Sequence, residues 1–191
     1  WLCNCLLTSS IDLTMNAIIV IPARGGSTRF PLKPLAEIAG EKMIVRVLRI
    51  AQKSKLASRV IVATDNEEIA KVVRLAGGEA IMTSHKSKNG TERVAEVVRM
   101  LPEPPKVVVN LQGDAVLTPY WILDELIQSS LRESECPILT PIYEVSGDEL
   151  KDLIARKKSG SKTTTLSVFD VSRKALYFSK TLIPFSRDTE L

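Results

Sequence analysis

The sequence predicts an α/β fold of three layers, with helices on both faces of a mostly parallel, doubly wound sheet. Three observations predict it. Short apolar runs rich in Val and Ile recur along the chain, at residues 17–21, 59–63 and 106–111, and such runs suit strands covered on both faces. Stretches with apolar residues at helical spacing alternate with them. Gly, Pro and charged residues crowd the segments just after the strands, where open parallel sheets bind ligands.

Each element has its own local reason. Residues 17–21 (AIIVI) form the first strand, and Pro22, lacking an N–H, is expected to stop its ladder. Residues 42–54 carry Met43, Ile44, Val47, Leu48 and Ala51 on one helical stripe. Residues 59–63 (RVIVA) form the second strand. Asp65, with Glu68 three residues on, reads as a capping-box start for a helix over 67–75, which Gly77 and Gly78 end. A short strand at 80–82 precedes a helix at 91–100, which Pro102, Pro104 and Pro105 prevent from continuing. After the strand at 106–111, Thr118 and Pro119 read as N-cap and first residue of a helix reaching about Arg132. Residues 138–145 read as a strand and 147–157 as a helix, whose basic end at Arg156–Lys158 complements the negative pole of the helix dipole. Strands at 163–170 and 175–179 pair through the turn at 171–174.

Composition narrows the function. The chain has 191 residues, 45% hydrophobic and 25% charged, as expected of one globular domain able to bury a core. The formal charge is +4, but the basic residues are scattered and aromatics make up only 5%, so no stacking platform for nucleic acid is evident and no nucleic-acid partner is expected. Three cysteines, Cys3, Cys5 and Cys136, build neither a disulfide framework nor a zinc site. No apolar run is long enough to span a bilayer, so no membrane partner is expected. Residues 1–14 lack an initiating Met and a basic n-region. They read as a non-native or disordered extension ahead of Met15, with a single domain over 15–191.

The segments after the strands carry the chemistry. Residues 22–34 read PARGGSTRFPLKP. Gly25 and Gly26 permit close backbone approach, and Arg24, Arg29 and Lys33 place three cations in ten residues. Such a loop suits a triphosphate, though a solvated basic loop has the same composition. Neither a Walker A motif nor a dinucleotide G-x-G-x-x-G is present. Gln112–Gly113–Asp114 follows the 106–111 strand; Asp114 reads either as a Mg²⁺ ligand shared with substrate phosphates or as a turn aspartate. NGTER at 89–93 reads as a capped helix start whose positive end could meet a nucleotide. His85, the only histidine, sits in a polar loop and reads as a surface residue.

PARGGSTRFPLKPL, NGTERVAEV, VVNLQGD and ALYFSKTLIPFSRD, in that order from about Ala17 to Asp188, together resemble the 3-deoxy-manno-octulosonate (Kdo) cytidylyltransferase family. The resemblance implies a Rossmann-like nucleotide-diphospho-sugar transferase fold in a cytoplasmic homodimer. It also implies a Mg²⁺-dependent reaction, CTP plus Kdo giving CMP-Kdo and pyrophosphate, used in lipopolysaccharide biosynthesis. By the same resemblance, Arg24, Arg29 and Lys33 contact the triphosphate, Ala23, Gly25, Gly26 and Ser27 shape the loop, and Asp114 binds Mg²⁺. Gly90, Thr91 and Arg93 lie against the nucleotide, Gln112 faces the sugar, and Lys180 stands where the family usually has an Arg for the sugar carboxylate.

The sequence departs from the family pattern at Ala115 and Val116, where Glu-Pro usually follows QGD, at Leu166, where a Lys is usual, and in the GGS after PAR, which is closer to sialic-acid synthetases. These departures bear on the sugar more than on the CTP chemistry. They leave open a CMP-sialate-type or amino-Kdo enzyme, and an inactive nucleotide-binding fragment or assembly subunit. Family members continue beyond the point where this sequence ends, and activity is expected to need that further segment.

Overall fold

A computed structural model describes residues 16–26, 30–133 and 135–183. The chain divides into two compact units, Trp1–Leu139 and Thr140–Leu191. The expected extension at 1–14 lies outside the described residues.

In the first unit, β1 (Ala17–Ala23), β4 (Arg59–Thr64), β5 (Glu79–Met82) and β6 (Val107–Asn110) form one parallel sheet in the order β5-β4-β1-β6. The order reverses at β1, whose neighbours are β4 and β6. A crevice therefore opens beyond the carboxyl ends of β1 and β6, where ligands of doubly wound sheets bind. Helices α1 (Met43–Ala51), α2 (Glu67–Leu75) and α4 (Tyr120–Arg132) cover one face, packing Ile44, Val47, Leu48, Ile69, Val73, Leu123 and Ile127 onto Ile19, Ile21 and Val62. Helix α3 (Gly90–Met100) covers the other, where Val94 and Val97 meet Ile18, Val20, Ile61 and Ala63. Alternate residues of β1 thus enter different cores, so the whole run must be apolar. Each fully buried Ile contributes roughly 1.5–3 kcal/mol through apolar area removed from water.

Several local expectations are corrected. Strand β1 continues through Pro22 to Ala23. The Val20 carbonyl accepts from Leu111 N–H at 3.1 Å, so Pro22, two residues on, faces the same side. The β6 ladder has already ended there at Val20↔Asn110, and no donor is missed. Helix α2 is capped by Asn66, whose side chain accepts from Ile69 N–H at 3.1 Å, and not by Asp65. Helix α4 begins at Tyr120, because Pro119 holds an extended ψ of 125° and serves as N-cap in place of Thr118. Helix α1 stops at Ala51, three residues before the expected end. A 3-10 turn, Lys33–Leu35, and a two-residue hairpin, β2 (Glu37–Ile38) with β3 (Glu41–Lys42), were not anticipated. Both are too short to carry a periodic signal. The hairpin turns through Ala39 and Gly40 at φ 48° and 77°.

The second unit contains α5 (Gly147–Lys158) and an antiparallel hairpin of β7 (Leu166–Phe169) and β8 (Ala175–Ser179). The turn is organised by Asp170, whose Oδ1 accepts from Ser172 N–H and Lys174 N–H, both at 2.9 Å. Lys157 staples the unit: its Nζ donates to the carbonyls of Thr163, Thr164 and Lys180 at 2.5, 2.7 and 2.8 Å. The first two of those carbonyls lie ahead of β7, which is shorter than the expected strand over 163–170. Residues 138–145 form no strand. Pro137 and Pro141 remove backbone donors from the segment, and Ile138, Ile142 and Tyr143 stand exposed. Among the described residues, no helix is long and apolar enough to cross a membrane.

Candidate functional site

At the carboxyl ends of β1 and β6 the first unit opens into a cleft of about 570 Å³. Its floor is Pro22 and Ala23 of β1. One wall is Arg24, Phe30 and Lys33, another is the segment Ser87–Gly90 entering α3, and the third is Gln112–Asp114 after β6. Three segments remote in sequence, 22–33, 87–90 and 112–114, therefore converge where the sheet order reverses.

The glycine loop is pinned at its base. Leu32 N–H donates to the Gly25 carbonyl at 3.1 Å, closing the loop on itself. Leu32 adopts a left-handed backbone, φ 53° and ψ 30°, which turns the chain into Lys33–Leu35, where Pro34 and Leu35 are buried. A non-Gly residue in this conformation costs roughly 1–2 kcal/mol, and the buried Pro34 and Leu35 hold the chain in it. Ser27 and Arg29 lie outside the described residues.

Close backbone approach explains three glycines. A Cβ on Gly25 would stand 2.9 Å from Asn66 Cβ, one on Gly113 would stand 2.7 Å from the Pro22 carbonyl oxygen, and one on Gly90 would stand 3.1 Å from Pro22 Cγ and 3.3 Å from Gln112 Oε1. The β6 turn and the α3 start are thereby packed around Pro22, and the loop against Asn66. Gly26 differs, with open space where a Cβ would stand.

Across the cleft the Lys33 ammonium lies 2.6 Å from Asp114 Oδ2, both side chains about half exposed. Arg24, Lys33 and Lys88 line the cleft against one carboxylate, Asp114, so its lining favours an anion. Gln112 reaches the cleft with its Nε2 donating to Asn110 Oδ1 at 3.1 Å.

Behind the loop lies a feature that the sequence reading missed. Asp65, freed from capping, accepts from Gly25 N–H on Oδ1 at 2.9 Å and from Arg93 Nη2 on Oδ2 at 2.8 Å, with His85 Nδ1 3.6 Å from Oδ2. Arg93 is 3% exposed and its Nη1 donates to Thr83 Oγ1. Burial pushes the Asp65 carboxyl up, but the Gly25 hydrogen bond and the Arg93 charge pull it down further, and it ends below its ordinary range. Arg93 therefore lines the cleft with its donors committed to Asp65 and Thr83. Only the position of Asp65 after the β4 strand hinted at such a role.

The remaining expected residues divide. Ala23, Gly90 and Gln112 line the cleft, whereas Thr91 is exposed and outside its lining. Lys180 belongs to the second unit, where its Nζ donates to Thr165 Oγ1 at 2.6 Å. Among the described residues no group of three or more His, Cys, Asp or Glu side chains forms a metal cage. A lone carboxylate facing a cation-lined cleft nevertheless fits Mg²⁺, which is commonly held by one or two carboxylates together with substrate phosphates and water.

Comparisons with known proteins agree with this fold. A family model described as cytidylyltransferase matches residues 18–191. The 3-deoxy-manno-octulosonate cytidylyltransferase of Maricaulis maris (strain MCS10) is 43% identical over 173 residues, covering 91% of this chain and 67% of that protein. The protein of the same name from Chlorobaculum tepidum is 42% identical, covering 92% and 68%. Among solved structures, CMP:2-keto-3-deoxy-manno-octonic acid synthetase complexed with CTP superposes with a TM-score of 0.80 at 34% identity, covering 91% of this chain and 68% of that one. The chain thus spans about two thirds of the length of these relatives. On the fold, the cleft where Lys33 meets Asp114, and these matches, the chain belongs to the 3-deoxy-manno-octulosonate cytidylyltransferase family.

Proposed function

We propose that the protein transfers CMP from CTP to the anomeric hydroxyl of Kdo, releasing pyrophosphate. The observation that carries the reading is the meeting of Lys33 and Asp114, 2.6 Å apart across a cation-lined cleft at the sheet's switch point, in a chain of this family.

The chemistry asks mainly for positioning and charge neutralisation. The sugar hydroxyl gives up its proton to water, its oxygen forms a bond to the α-phosphorus, the bond from that phosphorus to the bridging oxygen breaks, and pyrophosphate leaves with the electron pair. Arg24 and Lys33, together with Arg29, neutralise the charge that grows on the leaving group. Gly25 and Gly113 let the loop and the β6 turn pack against Asn66 and Pro22 beside the nucleotide, and Gln112 faces the sugar. Asp114 is the residue to hold Mg²⁺ beside the triphosphate; bound there, the ion supplies charge neutralisation and polarises the α-phosphate. As CTP binds, Lys33 exchanges Asp114 for a phosphate oxygen, which leaves the Asp114 carboxylate free as the group that would hold the ion.

This reading assigns residues 15–191 to the nucleotidyltransferase domain and the product to lipopolysaccharide biosynthesis. It takes the protein to be a cytoplasmic homodimer, checked by fractionation and light scattering. The activity test is pyrophosphate release with CTP and Mg²⁺, run in parallel with Kdo, amino-Kdo and sialic acid, on this chain and on one extended to the length of its relatives. Kdo-dependent release is expected. CTP binding without pyrophosphate release in the presence of any of the three sugars would refute the proposal.

A further inference from the structure

We infer that Asp65 is a positioning residue for the nucleotide loop, holding the Gly25 amide so that the turn is set before CTP arrives. The inference rests on the proposed CTP-binding function and deepens it. Three observations support it. First, the Asp65 carboxylate bridges two elements of the cleft wall, taking Gly25 N–H at 2.9 Å on one oxygen and Arg93 Nη2 at 2.8 Å on the other. Second, it has no local structural duty: it immediately precedes α2, yet Asn66 caps that helix. Third, the arrangement is expensive to build. Asp65 is 9% and Arg93 3% exposed, and a buried ion pair is poor at stabilising a fold compared with apolar packing. Such a pair is understandable where geometry matters more than stability.

The charge logic is consistent. An unpaired carboxylate behind a triphosphate loop would repel its ligand, and the Arg93 guanidinium cancels that charge from the buried side. Arg93, itself fixed by Thr83 at the end of β5, sets where the carboxylate stands. Gly25 completes the fit, since a Cβ there would collide with Asn66. The Leu32 N–H to Gly25 carbonyl bond then fixes the other side of the same residue, so Gly25 is held through both its amide and its carbonyl.

The test uses calorimetric CTP affinity in the presence of Mg²⁺, together with hydrogen exchange at the Gly25 amide in the ligand-free protein. The wild-type Gly25 amide is expected to be protected. Asp65→Ala is expected to lose that protection and weaken CTP binding about tenfold or more, with the KM for the sugar changed by less than about threefold. Asp124→Ala, placed far along the chain in α4 and destabilising for a different reason, controls for lost stability and is expected to leave CTP affinity unchanged. If alanine at 65 prevents folding, the isosteric Asp65→Asn is read instead: its CTP affinity must fall in step with any loss of Gly25 protection. An exposed Gly25 amide in the wild type, or a variant that loses protection yet binds CTP within twofold of wild type, overturns the inference. A wild-type chain that fails to bind CTP while its Gly25 amide is protected counts against the nucleotide reading instead.

Discussion

Lys33 and Asp114, 81 positions apart in sequence, meet at 2.6 Å across the mouth of the cleft. Both are about half exposed, so their attraction is screened by water and contributes little to folding. Lys33→Ala and Asp114→Ala are each expected to change stability by less than about 0.5 kcal/mol. Turnover in a complete enzyme is expected to fall by about 10²–10³ for each, the usual scale for losing one charge stabiliser in a transition state. Thermal melts and steady-state pyrophosphate assays on the same samples check both halves. A melting loss as large as the activity loss implies would count against a catalytic role.

The packing of Gly113 against Pro22 makes a second prediction. A methyl group placed 2.7 Å from the Pro22 carbonyl oxygen forces the β6 turn away from β1. Gly113→Ala is expected to cost roughly 1–3 kcal/mol and to weaken CTP binding, because Asp114 moves with the turn. Gly26→Ala, with open space around it, is expected to cost less than about 1 kcal/mol. Denaturant titration of the two variants side by side compares them directly.

Acid stability follows from Asp65. Its folded carboxyl is held below the ordinary value of 3.8. A depressed carboxyl contributes stability that is complete above its unfolded pKa and lost as pH falls through the folded one. The gap in stability between wild type and Asp65→Asn is therefore expected to be constant above about pH 5 and to shrink below about pH 4. Urea unfolding at several pH values measures it. A gap that widens on acidification would contradict the sign.

Asp124 offers a prediction remote from the cleft. From α4 it accepts from Ser54 Oγ at 2.5 Å, from Lys55 N–H at 3.1 Å and from Leu56 N–H at 3.3 Å. These donors belong to the turn between α1 and β4, which has no other tie to α4 among its hydrogen bonds in the described residues. Asp124→Ala is expected to cost about 1–3 kcal/mol, read as a lower melting temperature with CTP affinity intact.

The sheet and most of its helices were legible because their signals are local and repetitive. Residues 17–21 alternate between two buried faces, so the whole run is apolar; Ile69, Ala70 and Val73 fall on one side of α2. Lys33 and Asp114 were legible as site candidates because both follow strands. What escaped depends on contacts across the chain. Asp65 looked like a cap, since capping preference does not distinguish it from Asn66 one residue later. Its partners, Gly25 and Arg93, are 40 and 28 positions away. The segment 138–145 looked like a strand from its apolar content, yet Pro137 and Pro141 and the lack of a burying surface leave it irregular.

The register of β1 against β6, with Val20 opposite Asn110, acts as a ruler for the chemistry. Sliding one strand by a single residue would displace Asp114 along the sheet by about 3.3 Å, more than its present distance from Lys33. The reach between Lys33 and Asp114 is therefore inherited from the interlocking of buried Ile18 and Val20 with half-buried Val108. Conservative swaps among these hydrocarbon side chains are expected to alter turnover without touching a single polar atom of the cleft.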